Sequence, residues 1–203
     1  YMTHHSLNHT MLLLLGLTSA LVGGWGGLNQ TQIRMIMAFS SIAHMGWLIT
    51  AVTLSPSLTT LTMITYMTMT AATFMPIATT TKTITDMGTT WQLSPTTLTA
   101  TMFTLMSLGG LPPLTGFMPK WLILKELTST GLATLATLIL LASLPSLFFY
   151  IRLAYMTMLS TPPTTTNTEY KWRFKLSQPT CTAPMIMMTT MMLPLTATLL
   201  TTT

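Results

Sequence analysis

A chain of 203 residues with only 5% charged side chains cannot cover a water-facing surface, which in soluble domains takes about a quarter of the residues, and its mean hydropathy of +0.59 makes lipid its natural solvent. A net charge of +5 from scattered bases, with no basic stripe among aromatics, argues against nucleic-acid binding. Three acidic residues argue against a paired-carboxylate hydrolase, and a single cysteine, Cys181, rules out an internal disulfide framework or a cysteine metal quartet.

About 20 apolar residues cross a ~30 Å hydrocarbon core, and Gly, Pro and charge divide this chain into six such stretches. The first runs from Met11 to Gly26 and ends in the cluster Gly23-Gly24-Trp25-Gly26-Gly27. His4, His5 and His9 ahead of it show no metal-ligand pattern and read as loop. The second runs from Ile33 to Leu54, bounded by Asn29-Gln30-Thr31 and Ser55-Pro56. The third runs from Ser57 to Thr79, before a polar linker, Thr80 to Ser94, that holds Lys82 and Asp86. The fourth, Pro95 to Thr128, is too long for one simple crossing. The fifth runs from Leu132 to Leu159 with Pro145 inside it. A polar loop, Ser160 to Pro179, leads to the sixth, Cys181 to Leu200. The expected fold is all-α: a polytopic transmembrane helix bundle of about six spans forming a single domain over residues 1–203. Tyr1 is not an initiator and Tyr1-Met2-Thr3-His4-His5 lacks a signal-peptide start, so the chain reads as the C-terminal part of a longer bundle.

Successive loops of a six-span chain lie on alternate sides. One side then receives Arg34, Lys82, Arg152, Lys171, Arg173 and Lys175, and the other receives Lys125, with Lys120 left within a span. The positive-inside rule assigns the basic side to the matrix, or to the cytoplasm of a bacterium.

The most informative stretch is Ser107-Leu108-Gly109-Gly110-Leu111-Pro112-Pro113-Leu114-Thr115-Gly116-Phe117-Met118-Pro119-Lys120-Trp121. Proline removes a backbone donor and clashes with the preceding turn, and glycine relaxes the backbone, so a helix break is expected between Gly109 and Pro119. Freed carbonyls at membrane depth are tolerated where they line a cavity or are buried in protein, and broken helices of this kind recur in transporters. Lys120 follows the break. An ionisable group at that depth is costly, is a functional candidate by default, and suits reversible protonation; the alternative is an anchor that snorkels to the interface.

A second candidate is Ala38-Phe39-Ser40-Ser41-Ile42-Ala43-His44-Met45-Gly46-Trp47. Helical spacing puts Ser40, Ser41, His44 and Trp47 or Leu48 on a shared face, and a polar stripe within a lipid helix turns toward the bundle interior. His44 can pass a proton between its ring nitrogens; the plainer alternative is a packing histidine hydrogen-bonded to a serine. Lys125-Glu126 reads as an interfacial charge pair, and Lys171, Arg173 and Lys175 as loop anchors.

Those two motifs, with Gly23-Gly24-Trp25-Gly26-Gly27-Leu28-Asn29-Gln30-Thr31-Gln32, resemble the mitochondrial NADH–ubiquinone oxidoreductase chain 2 family, the antiporter-like membrane subunits of respiratory complex I. The heavy use of Thr, and of Met at 20 residues, is a habit of mitochondrially encoded proteins. The resemblance implies a translocase subunit in the mitochondrial inner membrane, helping to move protons while electrons pass from NADH to ubiquinone. It implies that this chain binds no cofactor, FMN and iron–sulfur clusters belonging to other subunits, and that its partners are other membrane-arm subunits and lipid. It also implies that Lys120 is a lysine of the proton path, that Arg34 is a surface anchor, and that the family's other buried charges, a Glu and two Lys, precede Tyr1. A stand-alone cation/proton antiporter subunit and a non-transporting bundle protein stay open beside it.

Overall fold

A computed structural model describes residues 2–80 and 95–159. Among them the chain forms six α-helices: α1 (Met2–Gly27), α2 (Ile33–Leu54), α3 (Pro56–Thr80), α4 (Pro95–Gly109), α5 (Phe117–Ser129) and α6 (Ala133–Leu159). The bundle is all-α, as expected, and the long fourth stretch is two helices separated by a break. The expected sixth span, Cys181 to Leu200, and the loops holding Lys82 and Lys171 lie outside the described residues. By length and composition, His9–Gly27, Ile33–Leu54 and Ala133–Leu159 are each able to cross a membrane.

Two boundaries differ from expectation. α1 begins at Met2, well before Met11, so His4, His5 and His9 are helical and not loop. The residues before Met11 are polar but include no Gly or Pro, so hydropathy ends there while the helix does not. His9 Nε2 lies 2.7 Å from the Thr53 carbonyl oxygen, tying the start of α1 to the end of α2. α5 resumes at Phe117, ahead of Pro119, which therefore sits in its first turn. A backbone N–H there has no partner within the helix, so its absence costs little.

Successive crossings alternate in direction, α4 and α5 running the same way as two halves of one crossing. Arg152 Nη1 donates to the Leu28 carbonyl at 2.6 Å, so the end of α6 meets the α1–α2 turn, near Arg34. His9, Thr53 and the α5–α6 turn lie at the other end. α1 and α2 pack most extensively, and α6 lies against α1, α4 and α5. The glycine cluster that ends the first predicted span remains helical and serves contact. A Cβ at Gly23 would overlap the Ala43 backbone, and one at Gly46 would meet the Gly16 carbonyl oxygen at 2.6 Å. Close backbone approach through small residues is how membrane helices gain packing without a hydrophobic drive.

The buried threonines behave as lipid requires. Thr50, Thr65, Thr101, Thr104 and Thr157 each donate to a carbonyl three residues earlier on their own helix, so the hydroxyls are satisfied locally. A small apolar cluster, Leu98 with Met102 and Ala154, and two larger ones fill the interior. One, toward the Arg152 end, includes Ile33, Met37, Leu105, Leu108, Phe149 and Leu153; the other, toward the His9 end, includes Leu13, Ala51, Ile123, Leu127 and Ile139. The polar groups described next lie between them.

Candidate functional site

The site is built on the break. α4 ends in a Schellman motif: the Gly110 amide donates to Ser107 O at 3.0 Å and the Leu111 amide to Met106 O at 3.5 Å, with Gly110 at φ +84°. That left-handed conformation is what glycine supplies at the residue after a helix cap, and Pro112 and Pro113 cannot continue the helix. The segment then folds back on α4. The Ser107 and Thr115 hydroxyls lie 3.2 Å apart, and a Cβ at Gly116 would overlap the Ser107 carbonyl oxygen. Fifteen residues of α4 and thirteen of α5 give roughly 22 Å and 20 Å of helix, so neither half crosses a ~30 Å core alone.

Lys120 sits where the two halves face each other. Its Nζ donates to the Gly109 carbonyl at 3.0 Å. Gly109 is the last residue of α4, where unpaired carbonyls carry the negative end of the helix dipole, so the ammonium is held by a partial charge. The same Nζ lies 5.8 Å from the centroid of the Trp47 ring, within cation–π range. Glu126, further along α5, is the only carboxylate among the described residues. Lys120 is thus held by neutral groups, a carbonyl and an aromatic face. Lys125, five residues on, is exposed, and so is Arg34.

His44, at the middle of α2, points into the bundle. Its Nε2 lies 3.4 Å from the Tyr150 hydroxyl of α6, and its ring is 5.0 Å from the Tyr66 ring of α3, centroid to centroid. The serine partner considered from sequence is not what holds it. Ser40 and Ser41 donate to Met37 O and Ala38 O on their own helix at 2.6 and 2.7 Å. A serine one turn away finds its own helix's carbonyl nearer than a neighbouring ring. His44 and Lys120 line one cavity of about 40 Å³, together with Trp47, Tyr66, Thr62 and Thr65. A water needs roughly 10–15 Å³ of such space, so the cavity is large enough to hold water beside its polar groups. Imidazole, ammonium, phenol and hydroxyl around such a space can pass protons; among the described residues no cluster of His, Cys, Asp and Glu could hold a metal.

Sequence reasoning found Lys120, His44 and Trp47 and missed Tyr66 and Tyr150. The available signal was weak: a tyrosine in an apolar helix carries a hydroxyl that needs a partner when buried. Tyr150 is 1% exposed.

The chain has relatives among known proteins. Residues 1–148 match the family model described as NADH:quinone oxidoreductase/Mrp antiporter, TM, and residues 147–200 match that of the NADH dehydrogenase subunit 2 C-terminus. NADH-ubiquinone oxidoreductase chain 2 of Sylvisorex ollula is 52% identical over 99% of this chain and 58% of the relative. That of Carassius auratus is 50% identical over the same shares, and that of Xenopus laevis 51% over 86% of this chain and 51% of its own. The chain therefore spans between half and three-fifths of the curated relatives it matches. Among solved structures, respiratory complex I from Thermus thermophilus with bound aureothin has a similar chain, with TM-score 0.67 and 27% identity over 73% of this chain and 36% of that one. The Mrp complex from Dietzia sp. shares the fold, with TM-score 0.65 and 20% identity over 78% of this chain and 32% of that one.

Proposed function

The chain belongs to the NADH:quinone oxidoreductase/Mrp antiporter membrane family, and on that premise we propose that it is part of a proton-translocating membrane-arm subunit of respiratory complex I. The family includes both oxidoreductase subunits and antiporters. Identity near one half to relatives named NADH-ubiquinone oxidoreductase chain 2 favours the first. The activity is translocation of protons across the mitochondrial inner membrane, driven by electron transfer from NADH to ubiquinone elsewhere in the complex. FMN and iron–sulfur clusters belong to other subunits, and this chain's partners are other membrane-arm subunits and lipid, with no nucleic acid. Residues 1–203 act as one transmembrane unit.

Lys120 carries the proton in this reading and His44 is a second station across the cavity. The carrying observation is an intramembrane lysine bound to the Gly109 carbonyl in a helix break and sharing a water-sized cavity with a histidine. A lysine paired to a carboxylate is locked in its charged form; one held by a carbonyl and an aromatic ring can release its proton when a charge arrives nearby. Tyr150 keeps the His44 ring in place, and apolar clusters pack on either side.

The test is complex I assembled with Lys120→Met or Lys120→Arg and reconstituted in vesicles. Both should lose most proton pumping and slow coupled NADH oxidation although no redox centre is touched, Arg because guanidinium does not release its proton. Wild-type pumping in both would reduce Lys120 to an anchor.

A further inference from the structure

We propose that Gly110 is a positioning residue for Lys120: the absence of a side chain at 110 is what lets the ammonium reach the Gly109 carbonyl. This rests on the proton-carrying reading of Lys120 for its functional consequence, but its geometric part stands alone. The lysine side chain lies across the face of Gly110. A Cβ there would stand 3.0 Å from Lys120 Nζ, 3.3 Å from its Cδ and 3.4 Å from its Cε. The contacts to Nζ and Cδ are tighter than ordinary van der Waals contacts and that to Cε is at their edge, so the lysine must give by a few tenths of an ångström. The moving atoms are the far end of a flexible side chain, so the fold tolerates the displacement easily. The atom displaced is nevertheless the one that carries charge, and a hydrogen bond weakens steeply once its length and angle are lost.

The chain holds its own control. α5 ends in the same Schellman motif as α4: the Gly131 amide donates to Thr128 O at 3.2 Å and the Leu132 amide to Leu127 O at 3.0 Å. Gly131 has φ +80° against +84° for Gly110. A Cβ at Gly131 would meet nothing within 4 Å. The two caps impose the same backbone demand, and only one carries a lysine.

Asparagine is among the side chains best tolerated in the left-handed region, so Gly110→Asn supplies the obstructing Cβ, and Gly131→Asn, at nearly the same φ, carries the same backbone strain without it. In assembled complex I, Gly110→Asn should pump several-fold less than wild type, while Gly131→Asn pumps normally. The pH profile of pumping should move in the first variant and stay in the second, because Lys120 loses its carbonyl partner. The groups facing Lys120 from the packed helices, His44 on α2 and Tyr66 on α3, with Tyr150 of α6 behind His44, are unchanged in both. A structure of the Gly110→Asn complex should show Nζ displaced from its place 3.0 Å from Gly109 O, with that bond lengthened. That readout is independent of pumping: if Lys120→Met pumps normally, the proton-carrying reading falls, and the position of Nζ still decides the claim about Gly110. Lys120 in place with normal pumping in Gly110→Asn overturns the proposal, as does an equal loss in Gly131→Asn. Gly110→Ala is the second variant. If neither variant at 110 assembles while those at 131 do, Gly110 is a folding requirement and the proposal also fails.

Discussion

The chain has two glycine-rich segments, Gly23 to Gly27 and Gly109 to Gly116, and the structure uses them in opposite ways. In α1 the glycines stay helical, and their missing side chains let α1 touch α2 and α6: Gly23 faces the Ala43 backbone and Gly27 faces the Phe149 ring. In the break, Gly110 turns the chain out of α4 and Gly116 lets the loop lie against the Ser107 carbonyl. The difference is proline. Pro112 and Pro113 each remove a backbone donor and clash with the preceding turn, which together disfavours continuing α4, although the single Pro145 leaves α6 helical; nothing between Gly23 and Gly27 opposes a helix that tertiary contacts favour. Glycine permits either outcome, and its neighbours choose.

The sharpest test of that contrast places a methyl group where backbone meets backbone. Gly23→Ala and Gly116→Ala should each cost about 3 kcal/mol or more, since the obstructing atoms belong to the main chain and cannot turn aside. Native-gel analysis should show little assembled complex for either. Normal assembly of Gly116→Ala would mean that the loop does not lie against α4.

Next in size is His44→Phe. It keeps a ring against Tyr66 but leaves the Tyr150 hydroxyl without its imidazole partner, a loss of about 1–3 kcal/mol. Pumping should fall while assembly largely survives. Unchanged pumping in assembled complex would remove His44 from the path and leave it a packing residue.

A smaller effect is expected at Gly26, where an added Cβ meets only the Phe39 ring. That ring can rotate, so Gly26→Ala should cost about 1 kcal/mol, read as a modest drop in thermal stability with normal pumping. A cost as large as that of Gly23→Ala would show that the α1–α2 contact is rigid throughout.

The smallest effect belongs to Lys125→Met. Lys125 is exposed on the same helix as Lys120, and a surface change of this kind stays within about 0.5 kcal/mol. Pumping equal to wild type, beside the loss in Lys120→Met, would show that depth and surroundings make a lysine functional. A comparable loss in Lys125→Met would extend the path to the helix end.

Much of this was readable from the chain alone, and the readable part was local. Low charge and hydropathy require a membrane bundle, because lipid-exposed backbone must be satisfied within helices. Proline and glycine chemistry marks the break, the i, i+3, i+4 spacing turns His44 inward, and Lys120 stands out because an ionisable group deep in a span is costly. The alternation of Arg34 and Arg152 onto one end follows from counting spans, and the contact of Arg152 with Leu28 agrees with it.

What tertiary structure alone decided is what meets what. Tyr150 reaches His44 across 106 residues of sequence, and no spacing rule connects α2 to α6. Lys120 is bound to a carbonyl eleven residues back, a contact created by the path of the break, which depends on the loop packing against α4. The polar start of α1 stays helical and is pinned to Thr53, where hydropathy predicts loop. The physical reason is common to all three. Helix spans and breaks are set by each residue's own backbone preference and solvation, whereas partners are set by which helices lie side by side, and that is a property of the whole bundle.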